Sequence, residues 1–181
     1  MTKKESIDLI QITTSSEATD DLKSIYEEAF PSDERRDWDE VLKFLRKPEY
    51  KLFSFISQQI KVGLLISWQL QDFTFIEHFA IEKTARNKGF GTEVIRTYLS
   101  KTSGCVILEV EEAKNEVNQR RISFYERLGF SVFPGKYEQP AYSVRKNSVK
   151  MMIMSYPNII SNKEFSQIRT ELYRSVYQII D

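Results

Sequence analysis

Hydrophobic positions along this chain follow two periods in alternation, one of two residues and one of three to four. Ile7 to Thr13 reads as a short strand. From a cap at Ser16 or Thr19, the residues Leu22, Ile25, Tyr26 and Phe30 recur at helical steps, which predicts a helix ending near Phe30. Pro31-Ser32-Asp33 breaks it. A second helix is predicted from about Asp37 to Arg46, with Trp38, Val41, Leu42 and Leu45 grouped at helical spacing. Leu52 to Ser57 and Lys61 to Leu70 read as a hairpin turning near Gln58-Gln59, and Phe73 to Ile81 is the next strand.

The alternation continues past a glycine-containing loop. Thr92 to Leu99 is helix-like, and Cys105 to Val110 is a strand with the near-continuous apolar run of one buried on both faces. A polar stretch from Glu111 to Val117 leads to a helix from about Asn118 to Leu128, closed by Gly129. Phe130 to Phe133 and Val149 to Tyr156 are two final strands, separated by a long loop carrying Pro134, Tyr137, Pro140 and Tyr142. Phe165, Ile168, Leu172, Val176 and Ile179 then form one apolar stripe on a last helix. That helix is expected to dock on its own domain, with a homodimer contact as the alternative. The pattern as a whole is α/β with a mixed sheet.

Composition narrows the chemistry. The chain has 181 residues, with 26 basic and 26 acidic side chains, so no net field draws it to nucleic acid or an anionic membrane. No apolar run is long enough for a membrane helix, and the start Met1-Thr2-Lys3-Lys4-Glu5-Ser6 lacks a signal-peptide core. With its single cysteine, this points to a cytoplasmic protein without an intramolecular disulfide. One histidine and one cysteine cannot build the usual His/Cys metal sites, so no metal is expected. His78 lies inside a strand with no nucleophile elbow elsewhere, and reads as an orienting or packed residue. Cys105 reads as a small core residue.

The densest chemistry is Arg86-Asn87-Lys88-Gly89-Phe90-Gly91, placed between a strand and a helix. Glycines allow a sharp turn and close backbone approach, and the first amides of a helix are unpaired at the positive end of its dipole. Such a place suits a phosphate or pyrophosphate, with Arg86 and Lys88 adding positive charge. A dinucleotide fingerprint would need a glycine where Val94 stands, and an NTPase loop would need Lys-Ser/Thr where Thr92-Glu93 stands. Both readings fail.

What remains, Arg-x-x-Gly-x-Gly at a strand-to-helix junction, resembles the acetyl-CoA-binding loop of the GNAT superfamily of N-acetyltransferases. Downstream, Leu108-Glu109-Val110-Glu111 and the segment from Asn118 through Tyr125 to Gly129-Phe130 are similar to that family's next strand and helix, in the same order. The resemblance covers roughly Phe73 to Phe130. It departs at Arg121, where the family often has a small residue, and in the length between Glu109 and Asn118.

The resemblance implies a GNAT-like fold: a mixed, mostly antiparallel central sheet flanked by helices, spanning residues 1–157, with residues 158–181 an added C-terminal helical extension. It implies acetyl-CoA as the acyl donor, gripped by Arg86, Asn87, Lys88, Gly89, Phe90 and Gly91, with Asn118 as a further contact. Amides near Phe79, Ala80 and Ile81 would polarise the thioester carbonyl, and Tyr125 would protonate or stabilise the departing thiolate. An amine must lose a proton before it attacks, and the two acids set among apolar strand residues, Glu77 and Glu109, are the candidate bases, Glu77 placed ahead. Glu77 and His78 can share a pocket only if a bulge interrupts the strand.

The acceptor would be an amine-bearing small molecule or protein. In the family its site is lined by the junction here running from Phe30 to Trp38 and the loop from Lys136 to Ser143. These supply Asp33, Glu34, Asp37 and Glu138 with Trp38, Tyr137 and Tyr142, suited to a cation, although Arg35, Arg36 and Lys136 work against it. The expected activity is N-acetyl transfer to a primary amine in a ternary complex. A non-catalytic acyl-CoA-binding regulatory module is the alternative.

Overall fold

The structure, a computed structural model, describes residues 7–179. The polar start from Met1 to Ser6 and the last two positions of the C-terminal extension lie outside the described residues. Contacts gather the chain into two compact units: Met1–Pro31 with Arg35–Gly104, and Ser32–Glu34 with Cys105–Asp181.

In the first unit, β1 (Asp8–Ile12), β2 (Tyr50–Ser57), β3 (Ile60–Gln69) and β4 (Phe73–Ile81) pair in that order, each antiparallel to the next. The hairpin turn falls at Gln58 and Gln59, as the sequence predicts, and both have positive φ, the backbone that matches strand twist in a tight hairpin. Helix α1 (Asp20–Ala29) buries Leu22, Ile25 and Tyr26, and places Asp20 and Asp21 at its positive end. Helix α2 (Trp38–Phe44) buries Trp38, Val41 and Phe44, and α3 (Phe90–Lys101) buries Phe90, Val94, Ile95, Tyr98 and Leu99. Their apolar faces, with Leu52, Phe55, Leu64, Leu65, Ile66, Trp68 and Phe75 from the strands, make the core of this unit.

Two features of these strands shape the β4 end. The β3–β4 register passes from Ile66↔His78 to Ser67↔Ile76, so Glu77 is the extra residue of a bulge. Gly63, opposite Ile81, is held close: a Cβ there would stand 2.3 Å from the Ala80 carbonyl oxygen and 2.7 Å from Phe55 Cδ2. Only glycine lets the strands approach this far.

In the second unit, β5 (Cys105–Glu111) pairs antiparallel with β8 (Val149–Tyr156), which also carries β6 (Ser131–Val132) and β7 (Tyr137–Gln139). Helix α4 (Glu116–Glu126) packs on β5, and α5 (Asn162–Glu171) starts from a capping box in which Ser161 and Glu164 satisfy each other's backbone amides. Val106, Ile107, Leu108, Ile153, Met154, Leu172 and Val176 are nearly solvent-free here.

Several boundaries differ from expectation. Helix α3 begins at Phe90 because Gly89, not a later residue, adopts the left-handed cap conformation. Helix α4 begins at Glu116, since Asn115 rather than Asn118 caps it, its side chain accepting from the Asn118 amide at 2.9 Å. The long loop contains β7. The last helix ends at Glu171 and continues as a π-helical turn, Leu172–Val176, which keeps Leu172 and Val176 buried but leaves Ile179 39% exposed. The rest of the stripe faces its own unit, Phe165 stacking on Phe133 at 4.3 Å.

Candidate functional site

The glycine loop is built by local geometry. Glu82 caps a short 3-10 turn, Lys83–Ala85, by accepting from the Thr84 amide at 2.7 Å. The Arg86 Nε then donates to the Ile81 carbonyl at 2.9 Å, tying the loop to the end of β4. Asn87 (φ 62) and Gly89 (φ 84) are both left-handed, and together they turn the chain into α3. Residues 86–89 are exposed, and nothing lies within 4 Å of where a Gly89 Cβ would be. Free helix amides, open approach and two exposed cations fit a pyrophosphate. Phe90 is buried beneath, anchoring the first turn.

Phe79, Ala80 and Ile81 close the β4 strand against Leu65, Leu64 and Gly63. Glu77, on the bulge, is enclosed. Its Oε1 accepts from Arg36 Nε at 3.0 Å and its Oε2 from Trp68 Nε1 at 2.8 Å, with the carboxylate side chain wholly out of solvent. Arg36 also reaches Glu40 at 2.9 Å, stacks on Phe44, and donates a hydrogen bond from its backbone amide to the Tyr26 hydroxyl oxygen. The bulge brings His78 Nδ1 to 4.0 Å from Glu77, with the ring set edge-on between Tyr26 and Phe30. Around Glu77 the structure is a packed ion-pair network.

In the second unit, Tyr125 sits on α4 between Phe124 and Phe130, at 5.1 and 5.6 Å. Burial pushes its phenol up to about 12, opposed by Arg121, so it stays protonated through the neutral range. Asn118, the third residue of α4, is 6% exposed and donates to the Glu112 carbonyl at 3.0 Å. Its side chain thereby fastens the end of β5 to α4. Burial raises the half-buried Cys105 thiol, which removes reactive thiolate.

Glu109 has a different setting from Glu77. Tyr137 of β7 donates to its Oε1, and Tyr177, beyond the π-helical turn, donates to its Oε2 at 2.7 Å. Tyr137 also lines a cavity of about 460 Å³ with Phe133, Lys136, Arg169 and Tyr173. The sequence marks Tyr137 only as an aromatic of the loop from Lys136 to Ser143 and gives no sign of Tyr177, since these partners of Glu109 lie 28 and 68 positions away.

The turn at Ser32–Glu34 belongs to the same unit. Gln139 Nε2 donates to the Asp33 carbonyl at 3.2 Å, and Asn147 reaches both Asp33 carboxylate oxygens. The two Asn147 bonds lower Asp33 below the usual carboxylate range, its side chain contributing most. Its neighbour Glu34 goes the other way: burial, then the charge of Glu111, raises its carboxyl to about 7, with Arg121 opposing. Arg121 itself is paired with Glu111 at 2.5 Å. No helix among the described residues is long and apolar enough to cross a membrane, and no group of three or more potential ligands could hold a metal ion there.

Residues 17–130 match the profile of the acetyltransferase (GNAT) family. A GNAT-family protein from Bacteroides thetaiotaomicron is 26% identical, with 96% of this chain and 99% of that chain covered at a TM-score of 0.88. The ribosomal-protein-S18-alanine N-acetyltransferase of Escherichia coli superposes at a TM-score of 0.63 with 15% identity, covering 87% of this chain and 97% of its own. Arabidopsis thaliana Naa50, solved with the bisubstrate analogue CoA-Ac-MVNAL, does so at 0.62 with 18% identity, over 83% and 97%. No curated protein matches.

Proposed function

Because the chain belongs to the acetyltransferase (GNAT) family, we propose that it transfers acetyl from acetyl-CoA to a primary amine by direct attack in a ternary complex. Acetyl-CoA is the donor that goes with the family. The acceptor is an amine-bearing small molecule or protein. Residues 1–157 form the catalytic domain in this reading, and residues 158–181 are an addition to it.

The observation that carries the reading is the loop at residues 86–91, exposed from Arg86 to Gly89. Its left-handed Asn87 and Gly89 present the unpaired amides of α3 beside Arg86 and Lys88. Those amides, with Phe90 and Gly91 behind them, hold the pyrophosphate, and Asn118 is a further contact. Amides of Phe79, Ala80 and Ile81 stabilise the negative charge that grows on the carbonyl oxygen. Tyr125, protonated well past neutrality, gives a proton to the departing thiolate.

Glu109 is the base in this scheme. Glu77 is engaged by a permanently charged guanidinium and an indole, neither of which releases its hold as the proton balance changes. Glu109 is held by phenols, whose hydroxyls rotate and can both donate and accept.

The test is to mix purified protein with acetyl-CoA and a panel of amines and peptides while free thiol is followed. Thiol release with an amine is the expected result. Binding by calorimetry without release across the panel favours a regulatory acyl-CoA-binding module, and absence of binding removes both readings.

A further inference from the structure

Glu109 is clasped from two sides by hydroxyls that its own strand does not supply. Tyr137 reaches Oε1 from β7, and Tyr177 reaches Oε2 at 2.7 Å from the segment after the π-helical turn. These two tyrosines are 5% and 8% exposed. Their rings are joined by Tyr173, centred 6.1 Å from Tyr137 and 6.4 Å from Tyr177, while Tyr142 lies 5.2 Å from Tyr177. The Tyr173 hydroxyl donates to the Glu138 carbonyl at 2.6 Å, so the C-terminal segment is tied to β7 as well as to the carboxylate. Packing alone would be served by phenylalanine. Hydroxyls aimed at both oxygens of one carboxylate fix its direction and favour its ionised form.

We propose that Tyr177 is a positioning residue for Glu109, so that the C-terminal segment belongs to the proton-accepting apparatus. This rests on the reading of Glu109 as the base. In that step Glu109 takes one proton from the acceptor's ammonium and becomes a carboxylic acid. The freed nitrogen lone pair forms the C–N bond, the C–S bond breaks, and Tyr125 supplies the thiolate's proton; the second surplus proton on the acylated nitrogen then restores the Tyr125 phenol, and Glu109 releases its own proton to water. Tyr137 keeps its own proton throughout, since burial and then the Glu109 charge hold its phenol well above the ordinary tyrosine value. Besides Tyr137 and Tyr177, the titratable and charged groups bearing on this cluster include Tyr142, Tyr173, Glu138 and the Arg169 guanidinium, which opposes the rise at Tyr173.

The test compares wild type with Tyr177→Phe, Tyr137→Phe and Glu109→Gln. The Glu109 carboxyl is titrated by 13C NMR in protein labelled at glutamate, with Glu109→Gln assigning the signal. In Tyr177→Phe the midpoint is expected to rise by about one pH unit, the tenfold change that one hydrogen bond to a charged group carries. The acid limb of kcat/KM should move up with it, kcat should fall about tenfold, and KM for acetyl-CoA should hold. A merely structural hydroxyl would lower the melting temperature and leave the midpoint in place. An unmoved midpoint in Tyr177→Phe overturns the inference. Should that variant fail to fold, Tyr137→Phe tests the same clasp from β7, and an unmoved midpoint there is equally fatal. Wild-type turnover in Glu109→Gln removes the base reading, whereas slow Glu109→Gln with unaltered Tyr177→Phe removes only the positioning.

Discussion

Arg36 Nε lies 3.0 Å from Glu77 Oε1, and neither side chain has more than 2% of its surface in solvent. Burying two charges is costly, and removing one partner strands the other. Glu77→Gln is therefore expected to lower the unfolding free energy by about 3–5 kcal/mol, the range for breaking a buried pair. The acid limb of the transfer reaction should stay where it is in the protein that remains folded. Denaturant melts beside a pH–rate profile check both. A shifted limb with little loss of stability would return Glu77 to the role of base.

Gly63 offers a sharper stability test. An added methyl would meet the backbone oxygen of Ala80 and the ring of Phe55 at distances no Cβ tolerates. Overpacking of this kind typically costs about 1–3 kcal/mol, and here one of the two neighbours is main chain and cannot rotate away. Gly63→Ala should show a lower denaturant midpoint with an unchanged slope.

Gly89 differs, because its surroundings are open and only its conformation resists a side chain. Alanine at that left-handed φ costs roughly 1–2 kcal/mol, so the loop either strains or refolds. Gly89→Ala is expected to weaken acetyl-CoA binding about tenfold in calorimetry, with a much smaller effect on turnover at saturating donor. Undiminished affinity would remove the loop from the cofactor site.

Tyr125→Phe should lower kcat by about 10²-fold, the lower end for loss of a general acid, with acetyl-CoA affinity retained. Because burial raises the wild-type phenol to about 12, its ionisation cannot form the basic limb of a profile measured below pH 10. A basic limb near neutrality that vanishes in Tyr125→Phe would contradict this.

Glu34 makes stability depend on pH in a definite direction. Its carboxyl titrates at about 7 in the folded chain against an ordinary value of 4.5. On raising the pH, the unfolded chain loses that proton first, so stability falls between those two values and stays lower above them. Glu34→Gln should accordingly melt at a higher temperature than wild type at pH 8, with the gap closing by pH 4. Equal gaps at both pH values would mean that Glu34 is not raised.

Local periodicity made most of the fold legible, since Leu22, Ile25 and Tyr26 on α1 or Val106 to Leu108 on β5 obey one period each. Strand β7 escaped because Tyr137-Glu138-Gln139 is too short to show alternation and sits among prolines. Helix α4 starts at Glu116, two positions before the Asn118 that the sequence suggests, because either Asn115 or Asn118 could cap it and only the hydrogen bond decides. The sharp turn of the glycine loop could be read from its own residues. The partners of the acids could not: Arg36 and Glu77 are separated by 41 positions and meet on a bulge that no local pattern announces. Glu34 was visible as an acid, but its raised carboxyl comes from burial and from Glu111, neither of which is a local property.

The bond between Tyr177 and Glu109 spans 68 positions, so it forms only after a loop of that length has closed. Contacts of this range appear late as a chain folds and are among the first lost when its last turn frays. Amide exchange in the segment from Leu172 to Tyr177 should therefore track the titration of one carboxylate in β5. Opening of the tail takes away one of the two hydroxyls that hold Glu109 and leaves it to Tyr137 alone.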